Sequence, residues 1–216
     1  MISIHKGIEP RLLREYKHAP DAQWDGPAMP NGITFTDVKD ELRRALFREQ
    51  HGLCAYCMSA IDTEHCKIEH FLPRTHHPER CLEYKNLLLC CPGIYGDEHT
   101  CDTKKDASPL SPSCNPAGEH PIERFITYDL DDGSILWQGA HHTELDDTLN
   151  LNSEHLKNNR LIALRNFKKI FITHSAKRNR KTEAEKAIRR FTETTGDFLP
   201  YLGIILYWLR SRLCHA

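Results

Sequence analysis

Cys54-Ala-Tyr-Cys57, Ile68-Glu-His70, Asn86-Leu-Leu-Leu-Cys-Cys91 and Cys101-Asp-Thr-Lys-Lys105 follow one another in a single short stretch, and their order decides the fold. A CxxC turn offers two sulfurs from one tight loop, and zinc completes a tetrahedral site with two more. Cys101 supplies a third. The fourth comes from the adjacent pair Cys90 and Cys91, with nine residues between Cys91 and Cys101. Strand alternation favours Cys91: Leu87, Leu89 and Cys91 share a face, and Cys91 at the strand end can turn toward the CxxC loop while Cys90 points away. The expected structural zinc ligands are therefore Cys54, Cys57, Cys91 and Cys101. Cys66, Cys81, Cys114 and Cys214 are read as ordinary thiols.

Working outward, residues 66–72 and 86–91 read as strands, 78–84 as a short helix opened by proline, and 101–106 as the start of a helix. Upstream, Asp37 in an acidic first turn, Val38, Leu42 and Leu46 at helical spacing and the closing Gly52 describe a helix running into the first cysteine pair. Residues 1–36, with Pro10, Pro20, Pro27 and Pro30, read as an arm wrapped on the rest, with one short helix at 12–17. Beyond the core at 37–125, residues 125–130 and 134–137 flank Asp131-Asp-Gly133, a hairpin signal. Helices at 153–171 (capped by Ser153), 182–192 and 198–213 complete a third region, 126–216. The expected fold class is α+β.

Bulk properties narrow the compartment. The 216 residues are 39% hydrophobic, enough to bury a core. Nine cysteines, two adjacent and one pair in CxxC spacing, fit metal binding in a reducing cytoplasm better than a secreted disulfide framework. The opening Met1-Ile-Ser-Ile-His-Lys6 lacks a signal-peptide pattern, and the longest apolar run, 198–209, is too short for a span of roughly 20 residues. A cytoplasmic protein is expected. The net charge of −1 hides an asymmetry: residues 157–190 hold 12 Lys or Arg against Glu183 and Glu185. Lys168, Lys169, Lys177, Arg178, Arg180 and Lys181 are candidate contacts for nucleic acid or for an acidic partner surface.

Within the thiol frame sit groups suited to phosphodiester hydrolysis, which needs an activated water and a cation to neutralise charge on the phosphorane. His70, with an ordinary pKa of about 6.5, is a candidate base. Glu69 and Asp102 are hard oxygen donors that suit Mg²⁺ or Mn²⁺. The amide of Asn86 can brace the loop that carries His70.

In this order the residues resemble the HNH, or ββα-metal, endonucleases. More narrowly, Ile4-His-Lys-Gly-Ile-Glu-Pro10, Ile68-Glu-His-Phe-Leu-Pro73, Tyr84-Lys-Asn-Leu-Leu-Leu89, His99-Thr-Cys-Asp-Thr-Lys-Lys105, Leu149-Asn-Leu-Asn152 and the helix at 201–209 resemble the HNH nucleases of retron and Septu anti-phage defence, PtuB-like proteins. The resemblance implies a zinc-stabilised ββα-metal core, His70 as general base, Asn86 as loop brace, and Glu69 with Asp102 at the catalytic metal. Many relatives carry histidine or asparagine where this chain has Asp102, and His99 could serve in its place. As partners the resemblance implies an SMC/ABC-type ATPase (PtuA-like), and a retron reverse transcriptase with its multicopy DNA (msDNA). The competing reading is a non-catalytic zinc module that binds nucleic acid or the ATPase.

Overall fold

The computed structural model describes residues 1–137, 143–175 and 179–214; the side chain of Cys214 lies outside the description. It is a mixed structure of helices and three separate two-stranded sheets. Helix α1 (Arg11–Tyr16) lies in the arm, and α2 (Phe35–Glu49) leads into the cysteine loop. A capping box starts α2: the Thr34 side chain accepts from the Asp37 amide, and the Asp37 carboxylate accepts from the Thr34 amide at 2.8 Å. Phe35, Val38, Leu42 and Leu46 form its buried stripe.

Strand β1 (Lys67–His70) pairs antiparallel with β2 (Leu87–Cys90), Glu69 opposite Leu88 and His70 opposite Leu87. All four β2 residues are buried, because the strand lies between two cores. Leu87 and Leu89 pack with α1 and α2, whereas Leu88 and Cys90 pack with the cysteine loop and the C-terminal elements. The buried Gln50 joins α2 to this sheet: its amide donates to the carbonyls of Leu53 (2.8 Å) and Leu89 (2.7 Å) and accepts from the Leu89 amide (2.7 Å). Between the strands, the expected short helix forms two single 3₁₀ turns, Pro78–Arg80 and Tyr84–Asn86.

A hairpin that the sequence reading did not anticipate, β3 (Ile94–Tyr95) with β4 (Glu98–His99), precedes α3 (Cys101–Lys105). It turns at Gly96-Asp97, with Gly96 at φ +61°. The Asp-Asp-Gly hairpin is present as β5 (Ile126–Tyr128) paired with β6 (Ile135–Trp137). A π turn at Glu144–Thr148 leads to α4 (Glu154–Ser175), α5 (Arg180–Glu193) and α6 (Leu202–Cys214). Ser153 accepts from the Leu156 amide at 3.4 Å, as a cap should.

The Leu149-Asn-Leu-Asn152 stretch is a junction. Leu149 accepts from the Cys101 amide (2.9 Å), Asn150 donates to the His99 carbonyl (3.0 Å), and Asn152 bonds the Ile135 amide (2.7 Å) and carbonyl (2.9 Å). Arg160, buried in α4, donates to the carbonyls of Gly133 and Leu151. Gly133 adopts φ +82°, and a Cβ there would lie 2.5 Å from the Lys157 carbonyl oxygen, so the turn admits only glycine. One hydrophobic cluster joins the cysteine loop to β5, β6, α4 and α6. The arm is tied down as well: Ile4 donates to Pro116 (2.7 Å), and the Lys6 ammonium meets Glu49 at 2.9 Å over the Tyr84 ring. No helix among the described residues is long and apolar enough to cross a membrane.

Candidate active site and metal centre

The CxxC loop is a tight knuckle. Cys54 accepts from Met58 (3.1 Å) and donates its own amide to Ser59 (2.9 Å), while the Ser59 amide approaches the Cys57 sulfur at 3.4 Å. Met58 takes φ +66° to close the turn, and its carbonyl accepts from Tyr201 at 2.8 Å, which locks the knuckle to the start of α6. Cys101 stands at φ +53° at the head of α3, a conformation L residues rarely hold without outside support.

Cys54, Cys57, Cys91 and Cys101 are all buried, and their sulfurs lie within 4.8 Å of one another. Cys54 and Cys101 are 3.9 Å apart, Cys57 and Cys91 3.7 Å. A tetrahedron with Zn–S bonds near 2.3 Å has sulfur edges of about 3.8 Å, so both of these separations suit a zinc ion among the four sulfurs. Its electrostatics agree. Burial opposes a thiolate at Cys54, yet hydrogen bonds from Cys101 and Cys57 hold it well below the thiol range, while neighbouring sulfurs and burial push Cys101 up. A dication at the centre removes that conflict.

The expectation that Cys91 joins the quartet agrees with the geometry, but its stated reason does not. Cys90 does not point to another side: it packs in the same cluster as Cys54, and Cys91, one residue beyond β2, fills the fourth corner.

Next to the thiols, a cavity of about 600 Å³ is lined by Glu69, His70 and Asp102 together. Glu69 is 4% exposed. Its Oε1 accepts from the Tyr56 hydroxyl (2.9 Å) and from the Lys105 ammonium (2.8 Å). Burial, reinforced by the neighbouring Asp102 carboxyl, pushes the Glu69 carboxyl up to about 8. Asp102 sits one residue beyond a zinc-site cysteine and meets Lys67 at 3.5 Å. Asp102 thus raises the proton affinity of Glu69, and the two carboxyls are hard oxygen donors on one polar cavity, the donor type that a divalent cation takes.

His70 is 7% exposed, and its Nε2 lies 2.9 Å from the Cys81 carbonyl oxygen. A carbonyl only accepts, so the neutral ring carries its proton on Nε2 and keeps the Nδ1 lone pair free. Burial is the main reason the imidazole falls to about 4, which leaves it unprotonated at neutral pH. The Trp24 ring meets it edge-on, centroids 4.3 Å apart. Asn86, 4% exposed, accepts from the Leu72 amide (2.7 Å) and donates to the carbonyls of Leu72 (3.1 Å) and Arg80 (3.2 Å), spanning the loop after β1.

Other candidates lie elsewhere. His99 is exposed on β4 and is not among the residues that line the cavity. Lys168 is half-buried with its ammonium 5.4 Å from the Trp208 ring centre, while Lys169, Arg180 and Lys181 are exposed. Lys177 and Arg178 lie outside the described residues. Sequence reading missed Lys105, fully buried and bonded to Glu69 and to the His70 carbonyl (3.2 Å), although a position three after Asp102 on one helix signals a shared face. It also missed Tyr56, inside the CxxC loop, and Trp24, for which the arm gives no local signal.

No family model matches the chain. It is 32% identical over 115 residues to Septu protein PtuB of Bacillus thuringiensis; the aligned stretch covers 52% of this chain. The chain spans 38% of that relative's length, so the similarity is to a part of a Septu protein.

Proposed function

We propose that this chain is a divalent-metal-dependent HNH endonuclease, the nucleic-acid-cutting effector of a Septu-type anti-phage system. The observation that carries this reading is the His70 ring, fixed through Nε2 with Nδ1 free, on the same cavity as Glu69 and Asp102. The β1–β2 pair, α3 and the adjoining thiol quartet support a zinc-stabilised ββα-metal core. The likeness to Septu protein PtuB supports the defence role and, as its counterpart, an SMC/ABC-type ATPase. A retron reverse transcriptase and its DNA rest on the resemblance of motifs alone.

Mg²⁺ or Mn²⁺ at Glu69 and Asp102 would supply charge neutralisation at the phosphorus and the leaving oxygen. The chain does the rest. His70 Nδ1 takes the proton of an attacking water, whose oxygen bonds to phosphorus as the P–O3′ bond breaks and O3′ takes a proton from solvent water, leaving a 5′-phosphate and a 3′-hydroxyl. The Cys81 carbonyl holds the tautomer, Asn86 fixes the loop through which that carbonyl is positioned, and Trp24 shields one edge of the ring.

The test is cleavage of DNA and RNA with Mg²⁺ or Mn²⁺ by the full chain, with and without its ATPase. His70→Ala is expected to abolish cleavage while zinc content stays at the wild-type value and the chain remains folded; undiminished cleavage removes His70 from the mechanism. One observation favours a second reading, a non-catalytic zinc module: Lys105 already gives Glu69 an internal cation at 2.8 Å. Such a module binds equally well at EDTA concentrations that leave zinc in place, and no metal restores turnover.

A further inference from the structure

The cavity that holds His70 carries cations as well as carboxylates. Lys39, Arg43, Lys67 and Arg74 also line it. Two are neutralised nearby: Lys67 meets Asp102 at 3.5 Å and Lys39 meets Asp25 at 2.7 Å. The arginines keep spare capacity. Arg74 is exposed and has no carboxylate partner among the described residues; its guanidinium lies 5.6 Å from the Trp24 ring centre. Arg43 gives Nη1 to Asp40 at 2.9 Å, yet its Nε is buried with no hydrogen-bond partner.

A buried donor without a partner costs free energy unless something occupies it in the working state, and a guanidinium matches a phosphate in a planar, two-pronged geometry. The carboxyl groups of Glu69 and Asp102 offer a polyanion no attraction, so a substrate needs positive anchors close to them. No residue of α4 or α5 lines the cavity, so the cations of those two helices are not those anchors among the described residues.

We infer that Arg43 and Arg74 grip backbone phosphates beside the scissile one, with Trp24 as the aromatic wall between Arg74 and His70. This rests on the reading of the cavity as a nuclease site and names two substrate-positioning residues within it. Arg43 reaches in from α2 and Arg74 from the loop that Asn86 braces, so the two anchors come from separate elements. The shared ligand chemistry is the phosphodiester backbone, of DNA or RNA, paired or unpaired.

The experiment measures binding of the full-length His70→Ala chain to fluorescent single-stranded and duplex DNA and RNA by anisotropy across a salt series. Adding Arg74→Ala or Arg43→Gln is expected to weaken binding at least tenfold and to lower the salt slope by about one per lost phosphate contact. Arg74 is exposed, so its loss leaves melting unchanged; Arg43→Lys, which retains the charge, recovers part of the affinity. In the otherwise wild-type chain with Mg²⁺, Arg74→Ala raises KM with little change in kcat.

Binding unchanged in both arginine variants overturns the proposal, as does a larger loss from Lys168→Glu with Lys169→Glu, or a chain that binds none of the four probes. Loss of binding at the arginines in a protein that never cleaves keeps the grip and removes the nuclease reading. Cleavage with unaltered KM in Arg74→Ala removes the grip and keeps the nuclease.

Discussion

Asn86 directs its whole amide at one loop. Its three bonds to Leu72 and Arg80 fix the segment between the strands, on which the Cys81 carbonyl and Arg74 sit. Asn86→Ala leaves the Leu72 amide and two carbonyls wanting; at about 1 kcal/mol per bond it costs on the order of 3 kcal/mol, a fall in melting temperature of about 10 °C. Calorimetry checks this. His70 makes a separate prediction. Its folded pKa of about 4 lies below the unfolded value near 6.5, so in that window the unfolded chain binds a proton that the folded one does not. Stability falls as pH drops from about 6.5 toward 4. In urea titrations at several pH values, His70→Gln should show a shallower acid-side loss than wild type; an identical slope would mean the imidazole is not buried as a neutral ring.

Elements explain what the sequence could and could not convey. The knuckle was legible because cysteine spacing encodes geometry directly, and the α2 stripe and Asp-Asp-Gly hairpin because their periods and turn residues are local. Lys105 and Tyr56 escaped because their meaning is tertiary: each matters only once β1 brings Glu69 between the knuckle and α3. Trp24 reaches His70 across an arm whose sequence carries no period. The Ile94–Tyr95 and Glu98–His99 hairpin did carry a Gly-Asp turn signal, hidden by the shortness of its strands. For the knuckle the expected outcome is structural: Cys57→Ser loses zinc and solubility together, because a structural zinc supplies on the order of 10 kcal/mol to small thiolate domains. Soluble Cys57→Ser protein with a full zinc complement by elemental analysis would remove Cys57 from the ligand set.

At the scale of the whole molecule, two groups of cations are candidates for binding, those of the His70 cavity and those of the C-terminal helices. Lys169 and Lys181 are exposed and bring no buried contact. Lys169→Glu with Lys181→Glu is therefore expected to leave zinc content and melting intact while weakening docking of the proposed ATPase partner, more steeply at low salt than at high, as pull-down across an ionic-strength series would read. Docking unaffected at every ionic strength would return these residues to a solvated face.

Cys101 anchors the α3 turn that presents Asp102 and Lys105, and it does so from a backbone conformation that a thiolate–metal bond can hold in place. An oxidant that converts those sulfurs to disulfide or sulfenate would eject a bound ion and release the turn, carrying Asp102 and Lys105 with it. Peroxide exposure would thus silence the proposed nuclease without touching the His70 imidazole, and reductant together with fresh metal would be needed to rearm it.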